Sequence, residues 1–448
     1  MGVAECGIVV VVNARIRRAV TILALAAIAT GVSQITWAQP QTQAQSSLAL
    51  LAGPLYQQLA ALKGMSSPGS PPPILIKSRD ETRRFIQQEM DRRYSAARIE
   101  SERKGMVAWG LIPPTLDLRR LFVDLMEEQI AAYYDPVNKV MVVGDWLSPD
   151  QQQAAIMHEL VHALQDREIS LDTFITPHPG QGDQLLARQA LMEGEAVALM
   201  LALLLKGQGL DLSALPDLNA VRGAVIAGTT GPAIAAAPKF LRDLLIFPYV
   251  DGLTFVYQFS KRQPWSAMPT LYRDPPRSTA QILKPEKRLG QREDPIQITL
   301  PDLGAIAPGA KIVNEDELGE FALSAVLGTY LGEQAGPPGA SGWRGDRYRI
   351  WEDADGRFVI AYLLAMDSER AATAFTAAYG KAIEKRHPAL AGKGVAGSVA
   401  LTTWKDGGRT FVVERRGTEV LIVEQMPSAS SDGVRETIWR SRPTTSKP

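Results

Sequence analysis

The segment from Ser148 to Arg167, SPDQQQAAIMHELVHALQDR, carries the strongest pattern in the sequence. It predicts a single helix. Ser148 suits the N-cap, Pro149 the first turn, and Gln151 the third position of a capping box. Inside the segment stand His158, Glu159 and His162, in the order HExxH. Residues four apart share one helix face. Both imidazoles therefore aim at one point, where a zinc ion would sit about 2 Å from each nitrogen. Glu159 projects beside that point and is placed to take a proton from water there. Ile156, Met157, Leu160, Val161 and Leu164 give the helix an apolar surface. Histidine is scarce, four in 448 residues, so a chance pair at this spacing is a rare event.

A zinc site of this kind needs a third protein ligand and one position left for water. The candidates lie in Gln184 to Leu205, QLLARQALMEGEAVALMLALLL, which reads as a second long helix. Glu193 and Glu195 sit mid-helix with Gly194 between them. In such apolar company an unpaired carboxylate is expensive, and a metal would account for at least one of them. Two residues apart they point about 200° away from each other, so they cannot both face the same ion. Periodicity does not choose. Ala190, Val197 and Leu201 flank Glu193, while Leu191, Met192 and Leu199 flank Glu195, and both sets are apolar.

HELVH followed by MEGEA resembles the HExxH zinc metallopeptidases of the gluzincin type, thermolysin-like and aminopeptidase-like. The resemblance runs from about Gln129 to Leu205. It implies one zinc ion on His158, His162 and Glu193, with water in the fourth position. It implies Glu159 as general base and peptide-bond hydrolysis as the reaction. The third ligand in that group is a Glu on a following helix, often in a Glu-Gly-x-Ala stretch. Here the spacing from His162 is longer than in the best-known members and no Asn precedes Glu193, so Glu195 stays open as the alternative ligand. The expected fold is α+β, a mainly helical zincin-like catalytic domain with a small edge sheet, followed by a smaller α+β domain.

Length and composition agree with two domains and sizeable cores. Lys plus Arg equals Asp plus Glu at 48 each, which gives no overall field for nucleic acid. Cys6 is the only cysteine. The N-terminus reads as an export signal: Arg15, Arg17 and Arg18, then apolar Ala19 to Val32, then Thr36-Trp37-Ala38 before Gln39. The expected division is a signal over 1–38, a polar and Pro-rich segment over 39–73, a metallopeptidase domain over 74–298 and a C-terminal domain over 299–448. Such a chain would be periplasmic or extracellular, with no stable membrane span once cleaved; an uncleaved N-terminal anchor is the alternative.

Along the rest of the chain, Gln39 to Ser47 reads as disordered and Leu48 to Lys63 as a short helix, fully formed after Pro54. SSPGSPPP at 66–73 reads as a linker and Ile74 to Ile76 as a strand. Arg79 to Lys104, capped by Ser78, reads as one charged helix, and Thr115 to Met126 as another. Gln129 to Val143 reads as a hairpin whose edge would border a cleft, open to extended substrate. His178 falls in the loop between the two metal-site helices. Phe240 to Phe259 reads as a helix interrupted near Pro248, and Pro264 to Lys287 as irregular. Tyr249, Tyr257, Tyr272 and Arg277 are candidate donors to a developing oxyanion. Beyond a break at 299–311, Glu315 to Leu331 and Ser368 to Lys385 read as helices. Arg347 to Trp351, Arg357 to Leu364, Val399 to Trp404, Thr410 to Arg415 and Glu419 to Gln425 read as strands. The partner expected is a peptide or protein substrate. An exported binding or scaffold protein on a zincin fold, and a metal-dependent hydrolase of non-peptide amides, are the competing readings.

Overall fold

The computed structural model describes residues 41–130, 132–397 and 400–442; the expected signal segment lies outside them. The fold is α+β, a helical region carrying a small sheet followed by a region built on a seven-stranded sheet. Among the described residues no helix is long and apolar enough to cross a membrane.

The chain opens with helix α1, Gln41–Lys63. The polar stretch expected to be disordered is therefore helical from Gln41, and the helix runs through Pro54 without stopping. Its buried residues Leu48, Ala52, Tyr56 and Leu59 recur at helical spacing and join the main core, so packing outweighs the polar composition. Strand β1, Ile74–Lys77, follows. The expected single helix after Ser78 is two, α2 (Arg79–Arg93) and α3 (Ala96–Ala108). Tyr94 leaves the helical conformation, and Ser95 caps α3 by accepting from the backbone N–H of Arg98. Helix α4 spans Leu118–Gln129.

Strands β2 (Ala132–Asp135) and β3 (Val140–Gly144) form the expected hairpin. β3 also pairs in parallel with β1, so the order is β1-β3-β2 and β2 lies at an edge. Helix α5, Pro149–Glu168, comes next, and α6, Gly182–Lys206, lies against it. After α7 (Asn219–Gly228), helix α8 spans Lys239–Ser260 without a break, Pro248 included. The stretch expected to be irregular holds three short helices, Met268–Arg273, Thr279–Leu283 and Glu286–Leu289, which wrap the helical region.

The C-terminal sheet is antiparallel in the order β4-β5-β6-β10-β9-β8-β7. Its strands are β4 (Lys311–Asp316), β5 (Trp343–Glu352), β6 (Phe358–Met366), β7 (Val395–Ala396), β8 (Leu401–Asp406), β9 (Arg409–Arg416) and β10 (Glu419–Pro427). The expected helix from Glu315 begins only at Gly319, as α9 (Gly319–Leu331), because residues 311–316 pair with β5 as a strand. Helix α10 is Glu369–Arg386, and a helix with no forecast from the sequence, α11 (Ser428–Arg440), is the last element among the described residues.

Side chains alternate across the strands and bury both faces. Tyr348, Ile350, Tyr362 and Leu364 turn toward α9 and α10, and Trp351, Val359, Leu363 and Leu421 turn toward α11 and the 298–306 segment. The helical region contributes to this core. Trp109 from the end of α3 meets Tyr348 and Tyr362 edge-on at centroid distances of 5.4 and 5.3 Å.

Candidate metal centre

Helix α5 starts where its sequence says it should. The Ser148 hydroxyl accepts from Gln151 N–H, and the Gln151 side chain accepts from Ser148 N–H at 3.0 Å. Ile156, Leu160, Val161 and Leu164 are fully buried and hold the helix in the core. His158 and His162 are consequently fixed on one face, with Nε2 of each 3.1 Å apart.

Helix α6 meets them with Glu193. Its Oε2 lies 3.0 Å from His158 Nε2 and 3.4 Å from His162 Nε2. Three donors thus converge from two helices. Burial works against a charge on His162, but the Glu193 carboxylate overrides it and raises the imidazole from 6.5 to about 10. Glu193 is held far below the usual carboxylate range; burial opposes this, and the His162 charge outweighs burial.

Glu195 points elsewhere. Its buried carboxylate receives the ammonium of Lys63, the Tyr272 hydroxyl, and Gln165 Nε2 at 2.9 Å. Gly194 has a different task. A Cβ on it would stand 2.2 Å from the carbonyl carbon of Gly252, and one on Gly252 would stand 2.0 Å from the oxygen of Ala190. The two glycines let α6 and α8 cross at backbone contact. That crossing carries Tyr249, one turn before Gly252, to the site, where its ring centroid is 6.1 Å from that of His158. The charge of Glu193, then burial, then the charge of Glu159 raise the Tyr249 phenol well above its usual value, so it keeps its proton.

Glu159 sits on the strand side of the histidines. One nitrogen of His158, one of His162 and a Glu159 oxygen lie within 4.8 Å of one another. The N–H of Tyr134, on edge strand β2, donates to Glu159 Oε2 at 2.7 Å. The Tyr134 hydroxyl donates to Asp166 at 2.8 Å, so β2 is tied to α5 at two points. Burial raises the pKa of Glu159, against the pull of His162 and His158.

The remaining candidates stand apart. Tyr257 donates to the Leu215 carbonyl at 2.5 Å, and Arg277 lies 3.6 Å from Asp274 and from Asp294. His178 is exposed, and His387 lies in the C-terminal region, 3.5 Å from Glu424. Lys63 and Gln165 escaped the sequence reading, though a lysine ending an apolar helix and a glutamine three residues after His162 were both visible signals.

The C-terminal region reaches the site through the start of α6. Gln181 makes no side-chain cap there. Asp316 accepts from Gly182 N–H at 3.0 Å, and Glu317 accepts from Gln184 N–H at 3.2 Å. Two acidic side chains at this end of the helix take over the capping by accepting from its free N–H groups.

Residues 115–221 match the family model of peptidase M78, described as an IrrE N-terminal-like domain. The match spans α5 and α6 with His158, Glu159, His162 and Glu193, and gives a peptidase-like domain; it names neither a thermolysin nor an aminopeptidase. Residues 309–435 match a domain of unknown function, DUF8575. No curated protein and no solved structure matches the chain.

Proposed function

We propose that this chain is an exported zinc-dependent peptidase, with the metal held by His158, His162 and Glu193. The observation that carries the reading is the donor triangle, with edges of 3.0, 3.1 and 3.4 Å. Ligands about 2.0–2.1 Å from a tetrahedral zinc ion are about 3.3 Å apart. The donor set, two imidazoles and one carboxylate, is also that of catalytic rather than structural zinc sites. Zinc bound there supplies Lewis acidity to a carbonyl oxygen and to a water molecule.

The chain's own groups do the rest. Tyr134 N–H occupies one oxygen of Glu159, which leaves the other to receive a proton from water. Burial favours the protonated carboxyl, so Glu159 can hold that proton and pass it to the leaving nitrogen. The Tyr249 phenol, beside His158 and raised by the Glu193 charge, keeps its proton and in this reading donates it to oxygen as negative charge develops. Edge strand β2 borders the helix that carries the base and offers main-chain groups to an extended peptide.

Metal analysis of the purified chain tests the assignment. One zinc per chain is expected, lost in His158→Ala and in His162→Ala, because two ligands hold zinc poorly. Full occupancy in either variant would remove that residue from the ligand set.

A further inference from the structure

We propose that Lys63, on helix α1, is a positioning residue for the metal centre: through Glu195 and Gln165 it fixes which nitrogen of His162 faces the ligands. The inference rests on the reading of His162 as a ligand. It adds to that reading a helix lying outside the segment that matches the peptidase model.

Gln165 is fully buried. Its Nε2 lies 2.9 Å from the Met192 carbonyl oxygen and 2.9 Å from Glu195 Oε2. Both neighbours only accept, so the amide NH₂ must stand on that side. The amide oxygen then faces His162 Nδ1, 2.8 Å away. An amide oxygen also only accepts, so Nδ1 carries a hydrogen. Nε2 is thereby the nitrogen turned toward His158 and Glu193. A metal-site histidine is commonly oriented by a carboxylate or carbonyl on its far nitrogen. Here a neutral amide is interposed between imidazole and carboxylate, and it passes the charge of Glu195 on as polarisation.

That arrangement requires an ionised carboxylate inside the core, which is costly without a counter-charge. Lys63 supplies it. The Lys63 side chain is fully buried, pairs with Glu195, and lies 2.9 Å from Glu168. Burial works against its charge, but Glu195 and then Glu168 more than compensate, so its pKa is raised. Tyr272, on one of the short wrapping helices, donates the remaining bond to Glu195. Three further elements, α1, α6 and the helix of Tyr272, thus converge on the orientation of one imidazole.

Lys63→Met alone would strand a buried carboxylate and risk misfolding, so the informative variant is the neutral pair Lys63→Met/Glu195→Gln. In that pair the neutral amide introduced at position 195 can donate as well as accept, so only the Met192 carbonyl still holds the Gln165 amide in this orientation. Gln165→Leu, which removes the acceptor on Nδ1, is the stronger perturbation. Two readouts are needed, with thermal melting as the fold control. The first is zinc affinity by chelator competition; Gln165→Leu is expected to lose about 10–100-fold, the usual scale for such outer contacts, and the neutral pair a smaller loss in the same direction. The second is solvent exchange of the His162 Nδ1–H, followed by nitrogen-resolved NMR on metal-free protein; it is expected to be slow in the wild type and clearly faster in the neutral pair. Wild-type affinity together with wild-type exchange in a folded neutral pair would overturn the role of Lys63. If the wild-type chain itself binds no zinc, the ligand reading fails, and the exchange measurement on metal-free protein still decides whether the relay orients His162.

Discussion

Gly194 and Gly252 meet backbone to backbone where α6 crosses α8, closely enough that a Cβ on Gly194 would stand 2.2 Å from the carbonyl carbon of Gly252. The neighbour of Gly194 on one side is Glu193, and Tyr249 is one turn from Gly252 on α8. Spacing at this crossing therefore sets the position of both groups. Gly252→Ala is expected to destabilise the chain by about 1–3 kcal/mol, the usual cost of overpacking, and to weaken zinc binding as α6 is displaced. Urea unfolding and a zinc titration measure the two effects. A midpoint unchanged by the substitution would show that the helices have room to spare.

Tyr249→Phe removes the hydroxyl and keeps the ring. If the phenol donates to the developing oxyanion, kcat should fall about 10²-fold or more with zinc content unchanged, the scale seen for loss of one such donor. Steady-state kinetics on an unstructured protein substrate would show it. A fall confined to KM would assign Tyr249 to ground-state binding instead.

Glu193 and Glu195 separate by the way they fail. Glu193→Ala is expected to lose zinc while retaining most of its thermal stability. Glu195→Ala is expected to lose stability first, by about 3 kcal/mol, because a buried ammonium is left without its main partner. That figure is at the low end for a broken buried pair, since Glu168 remains 2.9 Å from Lys63. Zinc content and melting temperature, measured side by side, give the pattern; the opposite pattern would exchange the two assignments.

The HExxH helix was legible because cap, apolar face and ligand spacing are all local properties. The capping box of Ser148 and Gln151 and the run of α5 follow directly from them. The choice between Glu193 and Glu195 was not legible, because both faces of α6 are apolar and buried. It depends on where α1 and α8 pack, which is tertiary information. For the same reason Gly194 looked like part of a ligand signature, whereas it serves a helix crossing. In the C-terminal region β5, β6, β9 and β10 were readable as apolar runs bounded by glycine-containing turns. β4 was not, since residues 315–316 extend a strand into what looked like the start of a helix. The break between α2 and α3 hangs on Ser95, one polar residue within a charged run, and charge periodicity hides it.

The contact between the C-terminal sheet and α6 should be sensitive to pH. Burial, then Asp183, Asp346 and Asp316, push Glu317 from 4.5 to about 9. Burial and then Asp316 push Glu102 from 4.5 to about 7, and burial pushes Asp346 from 3.8 to about 6. Arg98 and Arg347 are the cations facing this group, and both lower Asp316. Each of these three pKa values is higher folded than unfolded, so the native state binds more protons. Their stabilisation is complete below the unfolded values near 4 and is lost as pH rises through about 6, 7 and 9. Melting temperature should fall from about pH 6 toward about pH 9.5. Glu317→Gln, which keeps an acceptor for Gln184 N–H, should flatten the upper part of that slope. A melting temperature that climbs over this range would contradict the assignment.

The most direct measurement compares casein turnover by the wild type and by Glu159→Gln, each with its zinc content determined on the same sample. The wild type is expected to cleave, to stop when a chelator removes the metal, and to recover when zinc is restored. Glu159→Gln is expected to hold zinc equally well and to lose about 10²-fold or more in kcat, since the group that receives the water proton is gone while His158, His162 and Glu193 are untouched. Near-normal turnover in that variant, or wild-type turnover indifferent to the chelator, would contradict a zinc peptidase with Glu159 as its base.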